Sequence, residues 1–496
     1  MRQHSACRVT LTEGEGPLKS IDLAIVGNGV LGLMTALELG SRDPSLKIAI
    51  IGPSDRYGGA SQAAGAMLNC FGEITTMTFR SKESRQKFEL ARAALKCWPE
   101  FLLSLNGLLP NSSRLVNNAG TFVILNSRSG RIESENFDAM VAALHRFNER
   151  YEEVDPISIG GLMPNQNNRP LRALYLADEG TVDARRFLDV LRAVLVERQV
   201  LFLEKKAVGF VRDGSGYTID LSDSERVTAS RCLLAAGVFT QELLDPHLEL
   251  SRRIPRLFPG VGVSITLSQD PGARIRQVIR TPNRAGACGL HVLPLSDGSL
   301  YVGASNDIFL QPQTTPMAGI VHFLLECAME QINPNLYRST PILTRTGNRP
   351  VAADGFPLIG RTSWEGLFIL TGTYRDGFHQ SPVLARIMAD EILGAKPAWE
   401  HGFHPERPLI RTLSRAESIQ MYLDHLMAAH YEHGWEVAKI SNEDAFRKMA
   451  EDRVNTLCTE IRTDYGLAPE FLLMHELTSN PDRARLVMTT AYGTSG

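Results

Sequence analysis

Apolar positions along this chain follow two rhythms. The run LAIV, at the end of IDLAIV over 21–26, is continuous and short, and the same holds for LKIAII over 46–51. Such runs read as strands buried on both faces. Between them Leu31, Met34, Leu37 and Leu39 have helical spacing, so the stretch predicts strand, helix, strand. Further on, DEGTVDARRFLDVLRAVLVERQV places Phe187, Val190, Leu191 and Val194 on one helical face, and a strand, AVGFV, follows. LPNSSRLVNNAG and GLMPNQNNRPLRA are polar, turn-rich and read as loops. From about residue 406 the helical rhythm dominates. One stripe runs through Ile419, Tyr422, Leu423, Leu426, Met427 and His430. A second helix is expected from a cap at Ser441, with Phe446, Met449, Val454, Leu457 and Ile461 inward, and a third from Asn480 with Pro481 in its first turn.

The first strand and helix are joined by GNGVLG, with glycines at 27, 29 and 32. In a βαβ dinucleotide fold the first glycine makes the tight turn, the second lets backbone approach a pyrophosphate, and the third lets helix pack on strand. The helix amino end then offers partial positive charge to the phosphates. One position departs from that pattern. The acid that ends the second strand and holds a ribose hydroxyl is replaced by Gly52 in GPS. Ser54 or Asp55 substitutes for it, or backbone groups and water hold the ribose.

A length of 496 residues predicts two or three structural units. A hydrophobic share of 43% with 22% charged residues is that of a soluble globular protein. The net charge of -3 gives no general attraction to nucleic acid or anionic lipid. With no apolar run of signal-peptide or membrane-spanning length, a cytoplasmic location is expected. The seven cysteines are scattered without a C-x-x-C pair, which argues against disulfides or zinc. His425, His430 and His433 lack the i, i+4 pair of common helical zinc sites, so no metal is expected.

Four segments in order carry a resemblance. They are the glycine turn with GGASQAAGAMLNCFGEIT, read as a small-residue loop leading into a helix; VTASRCLLAAGVFTQELL; GLHVLPLSDGSLYVGASND; and RTGNRPVAADGFPLIGRTSWEGLFILTGTYRDGFHQSPVLARIMADEILG. Together they resemble the FAD-dependent D-amino acid oxidase family, in its glycine oxidase and sarcosine oxidase-like branch, over about 20–405. The resemblance implies an α/β protein with a Rossmann-like FAD-binding domain from 20–99, 179–249 and 346–405. An antiparallel-sheet substrate domain would be interleaved with it from 100–178 and 250–345, and 406–496 would form an extra helical region. Those helices would cover the substrate domain, close the site or pair two copies of the chain.

The same resemblance implies non-covalent FAD held around Gly27, Gly29, Val30, Leu31, Gly32, Ser54, Ser61, Gly65, Ala66, Met67, Val208, Ala236, Gly237, Gly372, Asp376, Gly377 and Phe378. The helix beginning near Gly377 and Phe378 would point at the flavin edge where negative charge collects. Arg349 and Arg375 would hold an amino acid carboxylate through their guanidinium forks. His291 stands where the family commonly has a substrate-facing tyrosine; an imidazole there can titrate near neutral pH, and the alternative is a buried structural histidine. His379 is a second substrate-side candidate. The implied reaction oxidises an amine to an imine by hydride transfer to flavin, with molecular oxygen as acceptor. Two alternatives stand beside it: a dehydrogenase passing electrons to a quinone or partner protein, and a non-catalytic FAD-containing assembly subunit.

Overall fold

The computed structural model describes residues 21–214, 216–284, 288–432 and 443–493. Two sheets organise it. The first runs in the order Leu358–Arg361, Leu367–Thr371, Arg226–Leu234, Ile21–Val26, Ile48–Ile51, Leu201–Leu203, with the hairpin Ala207–Asp213 and Gly216–Leu221 paired to Arg226–Leu234. Its centre is parallel. The continuous apolar runs have their reason in this placement. Leu23, Ile25, Ile48 and Ile50 face one core with the helices Val30–Arg42, Ala184–Glu197 and Ser381–Leu393, while Ala24, Val26, Ala49 and Ile51 face another with Phe210, Tyr217 and Leu243. With both faces covered, every position of these strands must be apolar.

The second sheet has ten strands. Its longest ladder pairs Leu257–Leu267 antiparallel with Pro341–Ala352 from Leu257↔Ala352 to Leu267↔Pro341. His291–Pro294 and Leu300–Gly303 form the expected hairpin. The chain passes between the sheets repeatedly, and two crossings fall elsewhere than the sequence implied. Met67–Leu68 pairs with Gly180 and Thr181 in the second sheet, and Pro341–Ala352 stays in that sheet past residue 346. The small-residue loop therefore leads through a strand and a short turn, Phe71–Glu73, before the helix Lys82–Gly107 begins. The two stretches read as loops also end in strands, Asn118–Asn126 and Pro170–Thr181.

Three longer helices close the chain: Arg415–Glu432, Glu443–Glu460 and Pro481–Tyr492. Tyr422, Leu423, Val454, Leu457 and Ile461 bury as expected, in one cluster with Phe258, Ile308, Val351 and Tyr374 of the preceding sheets. Met449 is instead 47% exposed, and its neighbour Ala450 takes the inward place. Asn480 precedes the last helix, but its side chain makes no capping hydrogen bond. Ser441 and His433 lie outside the described residues. Among the described residues no helix is long and apolar enough to cross a membrane, and no group of three or more His, Cys, Asp and Glu side chains is placed to hold a metal.

Candidate active site

The glycine turn is as tight as its sequence requires. Gly27 has φ +127°, and a Cβ there would stand 2.2 Å from the carbonyl oxygen of Ala235. On Gly32 a Cβ would meet the Gly27 carbonyl oxygen at 2.0 Å. Helix Val30–Arg42 has no side-chain cap and no acid in its first turn. Val30 N donates to Ser61 Oγ at 3.1 Å, which anchors the amino end of the helix to the segment Ala60–Ala63. An uncapped, acid-free helix start facing a cavity suits an anion.

That cavity, of about 390 Å³, runs from the turn to the second sheet. Gly27, Asn28, Gly29, Val30, Leu31, Gly52, Ser61, Ala236 and Gly237 line it, together with Tyr301, Arg349, Tyr374, Arg375, Gly377 and Phe378. None of its lining residues is a cysteine or histidine. The glycine cradle and the open helix start fit FAD.

Arg349 NH1 donates to Ser305 O at 2.9 Å. Arg375 NH1 donates to Cys288 Sγ at 3.1 Å, and its guanidinium lies 5.1 Å from the centre of the Tyr374 ring. Burial works against the Arg375 charge, but Cys288, Tyr374 and Glu73 outweigh it and raise its pKa well above the ordinary value. Tyr374 is held in the left-handed region at φ +52°, with Asn306 Nδ2 donating to its hydroxyl at 2.7 Å. Tyr301 donates to Ala63 O at 3.0 Å and stacks on His291.

The two histidines take the structural of their two expected roles, not the substrate-facing one. His291 is 3% exposed; burial first, then Arg280, push its pKa down to about 3, so it does not titrate near neutrality. Its Nδ1 lies 3.2 Å from Gly289 O. His379 stands against the helix Lys82–Gly107, with Nε2 2.8 Å from Ala91 O, and its own carbonyl accepts from Trp98 Nε1 at 2.7 Å. Neither lines the cavity.

Several expected cofactor contacts lie off the cavity wall. Ser54 is exposed, and Val208 is 55% exposed while its neighbours Lys206 and Ala207 line the cavity. Gly32, Gly65, Ala66, Met67, Gly372 and Asp376 are also outside the lining. Gly32 packs helix on strand, Gly65 packs on Tyr301, and Asp376 pairs with Lys87 at 3.0 Å. The last helix of the first sheet begins at Ser381, not near Gly377. Residues 377–380 form a turn, and Pro382, whose ring is preorganised for a first helical turn, marks the start.

Of the residues lining the cavity, sequence reasoning missed Asn28, Arg56, Tyr301 and Asn348. Asn28 is the middle residue of GNG; its Nδ2 donates to Pro53 O at 2.8 Å, and Arg56 Nε donates to Asn28 O at 3.2 Å. Asn348 ties two covering loops together, donating to Gly58 O at 2.8 Å and Gln313 O at 2.7 Å while accepting from Gln313 N at 2.8 Å.

Residues 22–391 match the family described as FAD dependent oxidoreductase (DAO). Glycine oxidase of Pseudomonas aeruginosa is 26% identical over 384 residues, which is 76% of this chain and 95% of that protein. D-amino acid dehydrogenase of Neisseria gonorrhoeae is 25% identical over 261 residues, 51% of this chain and 59% of that protein. The crystal structure of glycine oxidase from Geobacillus kaustophilus shares the fold, with a TM-score of 0.67 at 21% identity over 78% of this chain and 99% of that one.

Proposed function

Because the chain belongs to the FAD dependent oxidoreductase family, we propose that it oxidises the carbon–nitrogen bond of an amino acid-like amine to an imine, with molecular oxygen taking the electrons as hydrogen peroxide. The observation that carries this reading is the presence of Arg349 and Arg375 in the lining of the cavity that the glycine turn also lines. Two guanidinium groups there suit a substrate carboxylate. The similarity to glycine oxidase and to D-amino acid dehydrogenase supports an amino acid as the substrate class. A soluble, cytoplasmic enzyme is part of this reading.

Bound FAD supplies the acceptor for the hydride that leaves the substrate α carbon. What this chain contributes is position. Arg349 and Arg375 fix the carboxylate, and Tyr374, locked by Asn306, holds the Arg375 backbone in place. His291, with its pKa near 3, is not the proton acceptor for a substrate ammonium; it packs behind Tyr301. Phe378 and Trp98, stacked 6.3 Å apart, keep water from the apolar side of the cavity.

The test is anaerobic mixing of the purified yellow protein with glycine, sarcosine and D- and L-amino acids. Bleaching of flavin absorbance by one of these, lost on Arg349→Ala with FAD retained, supports the reading. Flavin that none of them reduces overturns it. Rapid recolouring in air-saturated buffer, with peroxide formed, distinguishes the oxidase from a dehydrogenase that recolours only with a quinone.

A further inference from the structure

Arg349 and Arg375 are held in place without giving up their charge to an acid of the protein. Arg349 NH1 donates to Ser305 O at 2.9 Å and to Asn306 Oδ1 at 3.4 Å. Arg375 NH1 donates to Cys288 Sγ at 3.1 Å, and its guanidinium lies 5.1 Å from the centre of the Tyr374 ring. Among the described residues neither arginine forms an ion pair with an aspartate or glutamate, and no such residue lines the cavity that both arginines line. Asp307 senses the Arg349 charge, but burial raises its pKa above the ordinary carboxylate value. The two guanidinium charges are left for a carboxylate that enters.

One side chain meets both arms of this arrangement. Asn306 accepts from Arg349 through Oδ1 and, through Nδ2, donates to the Tyr374 hydroxyl at 2.7 Å. Only the oxygen of an amide can accept from a guanidinium, so the nitrogen is the atom turned to Tyr374. Tyr374 carries the Arg375 guanidinium near its ring and precedes it in the chain, with its own backbone in the left-handed region at φ +52°. The bridge stands on a fixed base. Val263 N donates to Ser305 Oγ at 2.9 Å, and Asp307 pairs with Val261 in the second sheet, so both chain neighbours of Asn306 are anchored to the strand Leu257–Leu267. That strand also leaves the room. Gly260 and Gly262 lie on one face of it; a Cβ on Gly262 would stand 2.3 Å from Arg349 NH1, and one on Gly260 would stand 3.0 Å from Asn306 Oδ1.

We propose that Asn306 is the positioning residue of the carboxylate clamp: it sets Arg349 directly, and Arg375 through Tyr374, in one geometry before substrate arrives. The assignment rests on the amino acid reading above and deepens it. An amide suits the task for a reason of charge. It offers an acceptor to Arg349 and a donor to Tyr374, and it orients the guanidinium without neutralising it. An aspartate would match its shape but would pair with Arg349 and compete with the substrate carboxylate. Preorganisation of this kind is read in the affinity for carboxylates.

The test compares the holoenzymes of the parent, Asn306→Ala, Asn306→Asp and Tyr374→Phe. Flavin spectral perturbation by acetate and benzoate reads carboxylate binding, and KM and kcat are measured with glycine, sarcosine and D-alanine. Asn306→Ala is expected to keep its FAD content, to weaken the acids and raise KM at least tenfold, and to hold kcat at saturation within threefold. Asn306→Asp, the closest in shape, is expected to bind the acids at least as weakly as Asn306→Ala. A merely structural asparagine gives the opposite order, so parent-like affinity in Asn306→Asp overturns the assignment, as does parent-like affinity in Asn306→Ala. Tyr374→Phe alone is expected to weaken the acids at least fivefold, and adding it to Asn306→Ala should cost less than threefold more, because one bridge is cut in both. No effect of Tyr374→Phe, or full multiplication of the two losses, overturns the link to Arg375. If Asn306→Ala does not retain FAD, Asn306→Asp decides: weakened acids with FAD retained support the assignment and parent-like binding overturns it. A parent flavin that responds to no carboxylate or amino acid removes the amino acid reading and this assignment together, whereas a responsive parent with unaltered Asn306 variants removes the assignment alone.

Discussion

Asn28 occupies the space that a side chain at residue 52 would need: a Cβ on Gly52 would stand 2.7 Å from Asn28 Cγ. The acid expected at the end of the second strand is therefore absent for a steric reason. The glycine turn itself supplies the side chain that fills the strand end, and it bonds to Pro53 O.

Gly52→Glu is accordingly expected to weaken FAD binding. The new side chain displaces Asn28 and breaks its bond to Pro53, worth about 1 kcal/mol, or roughly fivefold to tenfold in Kd. Asn28→Gly alone should cost about as much, and adding it to Gly52→Glu should cost little more, because the same bond is lost in each. Fluorescence titration of the apoprotein with FAD reads both variants.

Asn348→Ala removes three hydrogen bonds that join the loop at Gly58 to the loop at Gln313 across the cofactor cavity. At about 1 kcal/mol for each bond, FAD should dissociate ten to a hundred times faster. Stopped-flow release of FAD into an excess of a competing FAD-binding apoprotein measures it.

Phe471 joins the carboxy-terminal helices to the second sheet, 5.4 Å from Phe258 and 5.6 Å from Tyr492 by ring centres. Phe471→Ala in such a site costs roughly 3–5 kcal/mol. The loosened cluster includes Tyr374, on which Arg375 rests. The outcome expected is faster proteolysis within 415–492 and a raised KM for amino acid, with FAD content retained.

Glu179 gives a pH signature. It is buried beneath the amides of Cys70, Phe71 and Gly72, and burial pushes its pKa up from 4.5 to about 7. The folded state then holds a proton that the unfolded state has released between those values, so stability is greatest below pH 4.5 and falls as pH rises towards 7. The contribution at stake is roughly 3 kcal/mol. Glu179→Gln should flatten the fall of Tm across that window, measured by thermal unfolding in matched buffers.

What was legible in the sequence was local. Gly27, Gly29 and Gly32 announce the turn because each answers a steric demand within a few residues, and the helix Ala184–Glu197 shows its apolar face by spacing alone. That Arg349 and Arg375 line one cavity was legible through ordered motifs. The misses are contacts made at a distance. Nothing near Glu73 in the chain points to Arg280, 207 residues away. The environment that keeps His291 neutral likewise comes from burial and from Arg280 on the adjacent strand. Met449 failed for a subtler reason: helical spacing identifies a stripe but not which of two neighbouring positions, Met449 or Ala450, faces the partner.

The carboxy-terminal helices share one core with Phe258, Ile308, Val351 and Tyr374. During synthesis the strands Leu257–Leu267 and Pro341–Ala352 leave the ribosome well before Pro481–Tyr492 does. Their outer apolar surface stays uncovered until the final residues emerge, a transient exposure that invites aggregation. Chaperone dependence and a sharp loss of yield on shortening the carboxy terminus by even one helix follow from that order of events.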